Sequence, residues 1–258
     1  MEDRWKNWVW IVFLVWYGVG LVLVSLDWLP PVLQWANAVF LYLSGFLAVL
    51  YAGMVFKRGK GYWLAAIIII GTIAAESLGV HYGWIFGSYH YEKDFGIQLF
   101  GVPVTIGFAW VMVIFTSMAY FEWMLNGKKT VKNALVYSIA TSILAVTMDL
   151  IIDPVAYKGR QYWIWEGDGI YYDIPTQNFL GWFYVSFVIQ FTLYYLLRDT
   201  SFPKGWSRRM RWLYGMVVGM FVVTSMVEGL WLAVFVTLTV YGIMLIIRKI
   251  WRESYDRA

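Results

Sequence analysis

Apolar residues in this chain come in long unbroken runs, not in the alternating or one-in-four patterns of a soluble domain. Runs of similar length lie near 8–26, 33–56, 62–80, 102–124, 131–152, 178–197, 210–227 and 230–247. A hydrocarbon core about 30 Å thick needs about 20 apolar residues in a helix, so each run predicts a membrane-spanning helix. The last two are separated only by Glu228-Gly229, which reads as a tight hairpin or as a mere interruption. The first run starts at about Trp8 and no small-residue cleavage site follows it, so it reads as a retained helix and not as a signal peptide.

Charge decides between seven spans and eight. With eight, 17 of the 20 Lys and Arg fall on one side of the membrane and 3 on the other, the asymmetry expected when both termini are cytoplasmic. Seven spans would put the basic tail (Arg248, Lys249, Arg252, Arg257) outside. The expected fold is therefore all-α: a polytopic integral membrane protein of about eight transmembrane helices, with N and C termini cytoplasmic. It would form a single transmembrane domain over residues 1–258, a multi-pass protein of the cell membrane. Composition agrees, with 61% hydrophobic residues, mean hydropathy +0.62 and 14% charged residues against roughly 25% in soluble domains. The absence of cysteine excludes disulfides and cysteine-ligated metal sites. Short basic connections such as Lys57-Arg58-Gly59-Lys60 and Arg208-Arg209-Met210-Arg211 read as orientation signals that touch lipid headgroups. Gly215 and Gly219 form a small-xxx-small pair that favours close helix packing; it leaves a homo-oligomer open.

Polar chemistry is confined to two stretches, 76–110 and 149–182. Each opens with a carboxylate at the end of an apolar run, passes through a loop rich in Gly and Tyr, and reaches a Pro followed seven residues later by a Trp. The carboxylate-to-Pro spacing is 27 residues in the first (Glu76 to Pro103, then Trp110) and 26 in the second (Asp149 to Pro175, then Trp182). The match suggests a parallel internal repeat of spans 3–4 and 5–6, whose shared interface is where a site would sit. Both long connections fall on the outer side and look able to fold back as a cap.

Acids at membrane depth are costly and mark functional sites by default. Asp149 and Asp153 share a helix face if span 5 stays helical to Pro154, although a proline disfavours helical geometry in the residue before it. Two like charges at that spacing in a low dielectric do not both ionise comfortably, so one is expected to keep its proton and serve as a donor. The competing reading of Asp153 is a helix-ending turn at the water interface; that of Glu76 is a structural hydrogen bond to a neighbouring helix. Glu122, beside Trp123, and Glu228 are weaker candidates, at an interface and a hairpin respectively. His81 and His90 lie nine apart around one Gly-rich loop, a poor arrangement for metal or haem, and suit hydrogen bonding or a relay beside Glu76. Aromatics crowd the outer loops (Tyr82, Trp84, Phe86, Tyr89, Tyr91, then Tyr162, Trp163, Trp165, Tyr171, Tyr172) beyond what an interfacial belt requires. Their faces attract cations by roughly 0.5–2 kcal/mol each. Buried acids among aromatics, with no nucleotide or phosphate-binding motif, suit cofactor-free protonation of a hydrocarbon to a carbocation. No metal and no cofactor is expected.

The block from Glu76-Ser-Leu-Gly-Val-His-Tyr-Gly-Trp-Ile-Phe-Gly-Ser-Tyr-His-Tyr91 to Gly101-Val-Pro103 and Trp110 resembles the integral-membrane carotenoid 1,2-hydratase family. The second block agrees: Met148-Asp149-Leu-Ile-Ile-Asp153-Pro154, Trp163-Ile-Trp165, Gly169-Ile-Tyr171-Tyr172, Ile174-Pro175 and Asn178-Phe-Leu-Gly181-Trp182. The similarity covers about 62–190, the expected catalytic core. It implies water addition across the terminal double bond of an acyclic carotenoid, through a tertiary cation. Asp149 or Asp153 would be the acid and Glu76 would position water, or the reverse. His81, Tyr82, Phe86, Tyr89, Tyr91, Trp110, Tyr172, Asn178 and Trp182 would shape the substrate pocket. The partners implied are an acyclic carotenoid and membrane lipid, with no nucleic acid. Two other readings are a lycopene-type cyclase, which must exclude water from the same cation, and a non-catalytic carotenoid- or lipid-binding protein or transporter.

Overall fold

A computed structural model describes residues 4–28, 33, 35–56, 59–92, 95–126, 129–197 and 202–257. Lys57 and Arg58 of the first basic connection lie outside them. Eight helices among the described residues are long and apolar enough to cross a membrane. They are α1 (Arg4–Ser25), α2 (Trp35–Val55), α3 (Lys60–Tyr82), α4 (Val104–Phe121), α5 (Val131–Pro154), α6 (Thr176–Leu196), α7 (Lys204–Val227) and α8 (Trp231–Arg257). The chain is thus an all-α polytopic membrane protein.

Glu228-Gly229 is the hairpin and not an interruption. Gly229 takes a left-handed φ of 72°, and the amides of Glu228, Gly229 and Leu230 bond back to carbonyls of the last turn of α7, which closes that helix before α8 begins. The basic tail is helical: α8 runs on to Arg257, and Arg248 donates to the carbonyl of Tyr120 at 2.7 Å. Gly215 and Gly219 face neighbours in the same chain, since a methyl added there would first meet Tyr241 and Tyr17 respectively.

Packing is centred on α4, where every residue from Trp110 to Phe121 is buried. It touches α2, α3, α5, α6 and α7. A helix that is apolar all round belongs in such a position. At the other extreme is α1, with Phe13 as its one buried residue and neighbours only in α2 and α7 among the main contacts. Two polar side chains inside the bundle are hydrogen-bonded across helices: Tyr137 donates to Gln190 Oε1 at 2.8 Å, and Gln190 Nε2 donates to the carbonyl of Ile114 at 2.8 Å.

The proline in α5 does not end the helix at Asp153. Pro154 keeps helical angles, φ −57° and ψ −41°, and the chain continues through a wide π-type turn over Val155–Gly159. The cost of a proline is the missing N–H, which strands the carbonyl four residues earlier. That carbonyl, of Leu150, accepts a hydrogen bond from the Tyr171 hydroxyl at 2.8 Å. The helical geometry that proline disfavours is held by a partner from the following loop.

The two long loops join each other. Strand β1 (Tyr89–Tyr91) pairs antiparallel with β4 (Trp163–Trp165), Tyr89 opposite Trp165 and Tyr91 opposite Trp163. Between them β2 (Gln98–Leu99) and β3 (Val102–Pro103) form a small hairpin turned by Phe100 and Gly101, both at positive φ. The equivalent parts of the suggested repeat therefore meet. Pro103 and Pro175 both cap the helix that follows, and the rings of Trp110 and Trp182 stack at 4.2 Å.

Candidate active site

Side chains alternate across a strand, so Tyr89 and Tyr91 share one face of β1, and Trp163 and Trp165 share one face of β4. Tyr89 and Trp165 lie 4.8 Å apart, Tyr89 and Tyr91 5.6 Å, and Tyr91 and Trp163 6.2 Å between ring centroids. This aromatic plate roofs a cavity of about 350 Å³ at the loop end of the bundle. Trp110 and Trp182 form its side wall. The loop is held tightly against α6 because Gly181 has no side chain: a methyl there would sit 2.5 Å from the carbonyl oxygen of Ile85.

Three carboxyl groups gather here, all buried. Glu76 comes from α3; its Oε1 accepts the indole N–H of Trp110 at 2.7 Å, and its Oε2 accepts the Tyr89 hydroxyl. Burial and the neighbouring Glu76 push the Tyr89 phenol well above its usual range, so it stays a neutral donor. Asp153 Oδ1 accepts the indole N–H of Trp163 at 3.0 Å. Asn178, from the first turn of α6, bridges the aspartates: its Nδ2 donates to Asp149 Oδ2 at 2.8 Å and to Asp153 Oδ2. Asp149 Oδ1 is buried with no partner among the described residues. Glu76 and Asp153 line the cavity, while Asp149 stands behind Asp153. The site thus presents two carboxyl groups to an apolar space, one of them tied through an amide to a third.

Of the residues expected from sequence, Glu76, Asp153, Tyr89, Tyr91, Trp110, Asn178 and Trp182 converge on this cavity. Phe86 is buried behind the wall, 6.0 Å from the Trp110 ring. The expectation does not hold for His81, Tyr82 and Tyr172 as pocket residues. His81 is at the surface, where its Nε2 meets the carbonyl of Phe100 at 3.2 Å, and Tyr82 is 67% exposed. The reason is helix geometry: both still belong to α3, five and six residues beyond Glu76, and so leave it on other faces than the one that carries Glu76. Tyr172 accepts the amide N–H of Ala233 at 3.1 Å, capping α8. His90 lies between Glu92 and Glu166 on the outer face of the plate, so neither histidine is beside Glu76. Glu228 is a hairpin residue that pairs with Arg160 at 3.0 Å. Glu122 takes up Tyr51 and Arg211 at the opposite end.

Sequence reasoning missed Trp163 and Trp165 as site residues, although the period-two pattern Trp-Ile-Trp was there to place both on one face. It also missed the far wall. Trp16, Val19, Gly20 and Leu23 of α1, Phe40 of α2 and Phe221 of α7 line it. The stretch of α1 that lines it carries no charged residue. Among the described residues no three His, Asp or Glu side chains could together hold a metal ion.

Fold and site together define a membrane protein that offers buried carboxyl groups and aromatic faces to an apolar guest. The chain belongs to the carotenoid biosynthesis protein family, whose profile it matches over residues 36–245. A curated relative, the bisanhydrobacterioruberin hydratase of Haloarcula japonica, is 29% identical over 160 residues, 60% of this chain and 50% of its own length. The chain therefore spans about half the length of the curated relative it matches. No solved structure matches.

Proposed function

We propose that this protein is a carotenoid hydratase, adding water across the terminal double bond of an acyclic carotenoid end group without a cofactor. The observation that carries the reading is the meeting of Glu76 and Asp153 at one apolar, aromatic-walled cavity, in a chain of the carotenoid biosynthesis family. The hydratase activity of the Haloarcula relative points the same way.

In this reading Asp153, protonated, gives its proton to the less substituted carbon of the terminal double bond, leaving a tertiary cation on its neighbour. The faces of Tyr91, Trp163 and Trp165 stabilise that cation, each by roughly 0.5–2 kcal/mol. Water attacks the cationic carbon, Glu76 takes the proton that water loses, and a tertiary alcohol results. The proton on Glu76 then returns through water to Asp153, so the net change is one water gained. Asp149 touches no substrate; it is a positioning residue, acting through Asn178. Trp165 supports hydration over cyclisation, because its indole N–H is buried at the cavity without a partner among the described residues. That donor suits an attacking water, which a cyclase must exclude.

The test is expression in an unpigmented host that makes lycopene, followed by mass analysis of the pigment. A gain of one or two waters is the expected result. Unchanged mass with altered retention would replace the reading with a cyclase. Untouched lycopene, offered alongside other acyclic carotenoids that also stay untouched, would leave a binding protein.

A further inference from the structure

The cavity has two ends of different character. One holds the carboxyl groups and indoles. The other extends along α1, where Trp16, Val19, Gly20, Leu23 and Val24 line it with the i, i+3, i+4, i+7, i+8 spacing of one helix face. Trp16, at the start of this face, also rests on α2, where its indole N–H donates to the carbonyl of Ala36 at 3.3 Å; the wall opposite is Met220 and Phe221 of α7. A methyl added at Gly20 would meet only the tip of Met220, at 3.5 Å. Beyond α1 lies the bilayer, since Val15, Val19 and Val22 of this helix are each about half exposed or more.

We infer that this apolar arm, between α1 and α7, is the binding site for the polyene chain that follows the reacting end group, and that the chain passes out there into the lipid. The inference rests on the proposed function and adds to it where the rest of the substrate lies. A cavity of about 350 Å³ is near the bottom of the roughly 300–1,000 Å³ range of pockets that enclose small ligands. It holds an end group and not a long polyene, so the remainder has to leave. The carboxyl end is closed by the strand plate, while the α1 side has the least buried helix in the bundle. Gly20 is then a specificity-determining residue: lacking a side chain, it leaves the arm open beside Met220 of α7.

The experiment compares the full-length protein with Gly20→Trp and Gly18→Trp in lipid nanodiscs. Gly18 has nothing within 4 Å of an added methyl and does not line the cavity, so its variant controls for bulk on α1. Each protein is given lycopene and a short acyclic isoprenoid with the same terminal double bond, whose chain ends inside the cavity. Gly20→Trp is expected to lose lycopene turnover by about 10–200-fold, the range of misfit in an apolar pocket, and to keep turnover of the short substrate; Gly18→Trp should keep both. Wild-type turnover of lycopene by Gly20→Trp, or equal loss of both substrates, would overturn the inference. If the wild type converts neither, the hydratase reading fails by itself. Lycopene absorbance retained by wild type but not by Gly20→Trp then still supports the arm, and equal retention overturns it.

Discussion

At the scale of single residues, the two carboxyl groups at the cavity differ in their partners, and that difference separates their roles. Glu76 accepts from two donors, Trp110 and Tyr89, so both its oxygens are engaged as acceptors; Asp153 shares the Asn178 amide with Asp149, so one excess proton fits the pair. Asp153→Asn removes the proton donor with almost no change of shape. We expect turnover to fall by about 10²–10⁴-fold, the usual worth of a general acid, with the carotenoid still retained on purification. Turnover near wild type would move the acid elsewhere. Trp165→Phe keeps a ring in the plate and deletes only the unpartnered N–H. Losing one hydrogen bond to water should slow hydration by roughly 2–10-fold, and any product of unchanged mass should rise in proportion. The acids and Asn178 were legible in sequence, because polar residues stand out at membrane depth. The placement of His81 and Tyr82 was not, because it depends on α3 staying helical through Tyr82 before Gly83 caps it, and a Gly in a loop rich in Gly gives no notice of which one ends the helix.

At the scale of elements, the eight spans could be read from their apolar runs, since membrane thickness fixes a minimum length, although α7 begins six residues before its run and α8 ends ten residues after its own. The continuation of α5 past Pro154 could not. It depends on a hydroxyl 21 residues later, from Tyr171 to Leu150, and a long-range bond of that kind leaves no local signal. The bond also matters to the site. Asp149 and Asp153 lie on the turns either side of the stranded carbonyl, and their common face is what lets Asn178 reach both. Tyr171→Phe leaves that carbonyl unsatisfied, which costs about 1–3 kcal/mol for a buried group. We expect a lower thermal midpoint in detergent and reduced turnover, with Tyr184→Phe, on a lipid-exposed position, as the neutral comparison. An unshifted midpoint would mean that water takes the place of the hydroxyl. The loops could be read as a cap but not as partners: that β1 pairs with β4, and that Trp110 stacks on Trp182, follows from the repeat only once its two halves are allowed to face each other.

At the scale of the whole molecule, an even number of spans places both chain ends on one side and both aromatic loops on the other. The positive-inside rule predicts the sides, and we propose on that ground that the loops, the strand plate and the cavity lie in the outer half of the membrane. That assignment bears on chemistry, because the water consumed would come from the outer face, past Tyr162 and Asn37. These two bond at 2.8 Å where the cavity meets the loops, and burial pushes the Tyr162 phenol up to about 12, which keeps that hydroxyl neutral. A chain without cysteine makes the orientation directly measurable. Ile170, fully exposed in the second long loop, and Ser254, exposed at the end of α8, can each be replaced by a single cysteine without touching the cavity. A membrane-impermeant maleimide should label Ile170→Cys in intact cells and Ser254→Cys only after the membrane is opened. The reverse pattern would put the cavity on the cytoplasmic side and its water supply there too. Labelling of both in intact cells would require an even number of crossings between the two positions, with one of α6, α7 and α8 lying outside the bilayer; α8, the least buried of the three, would be the first to examine.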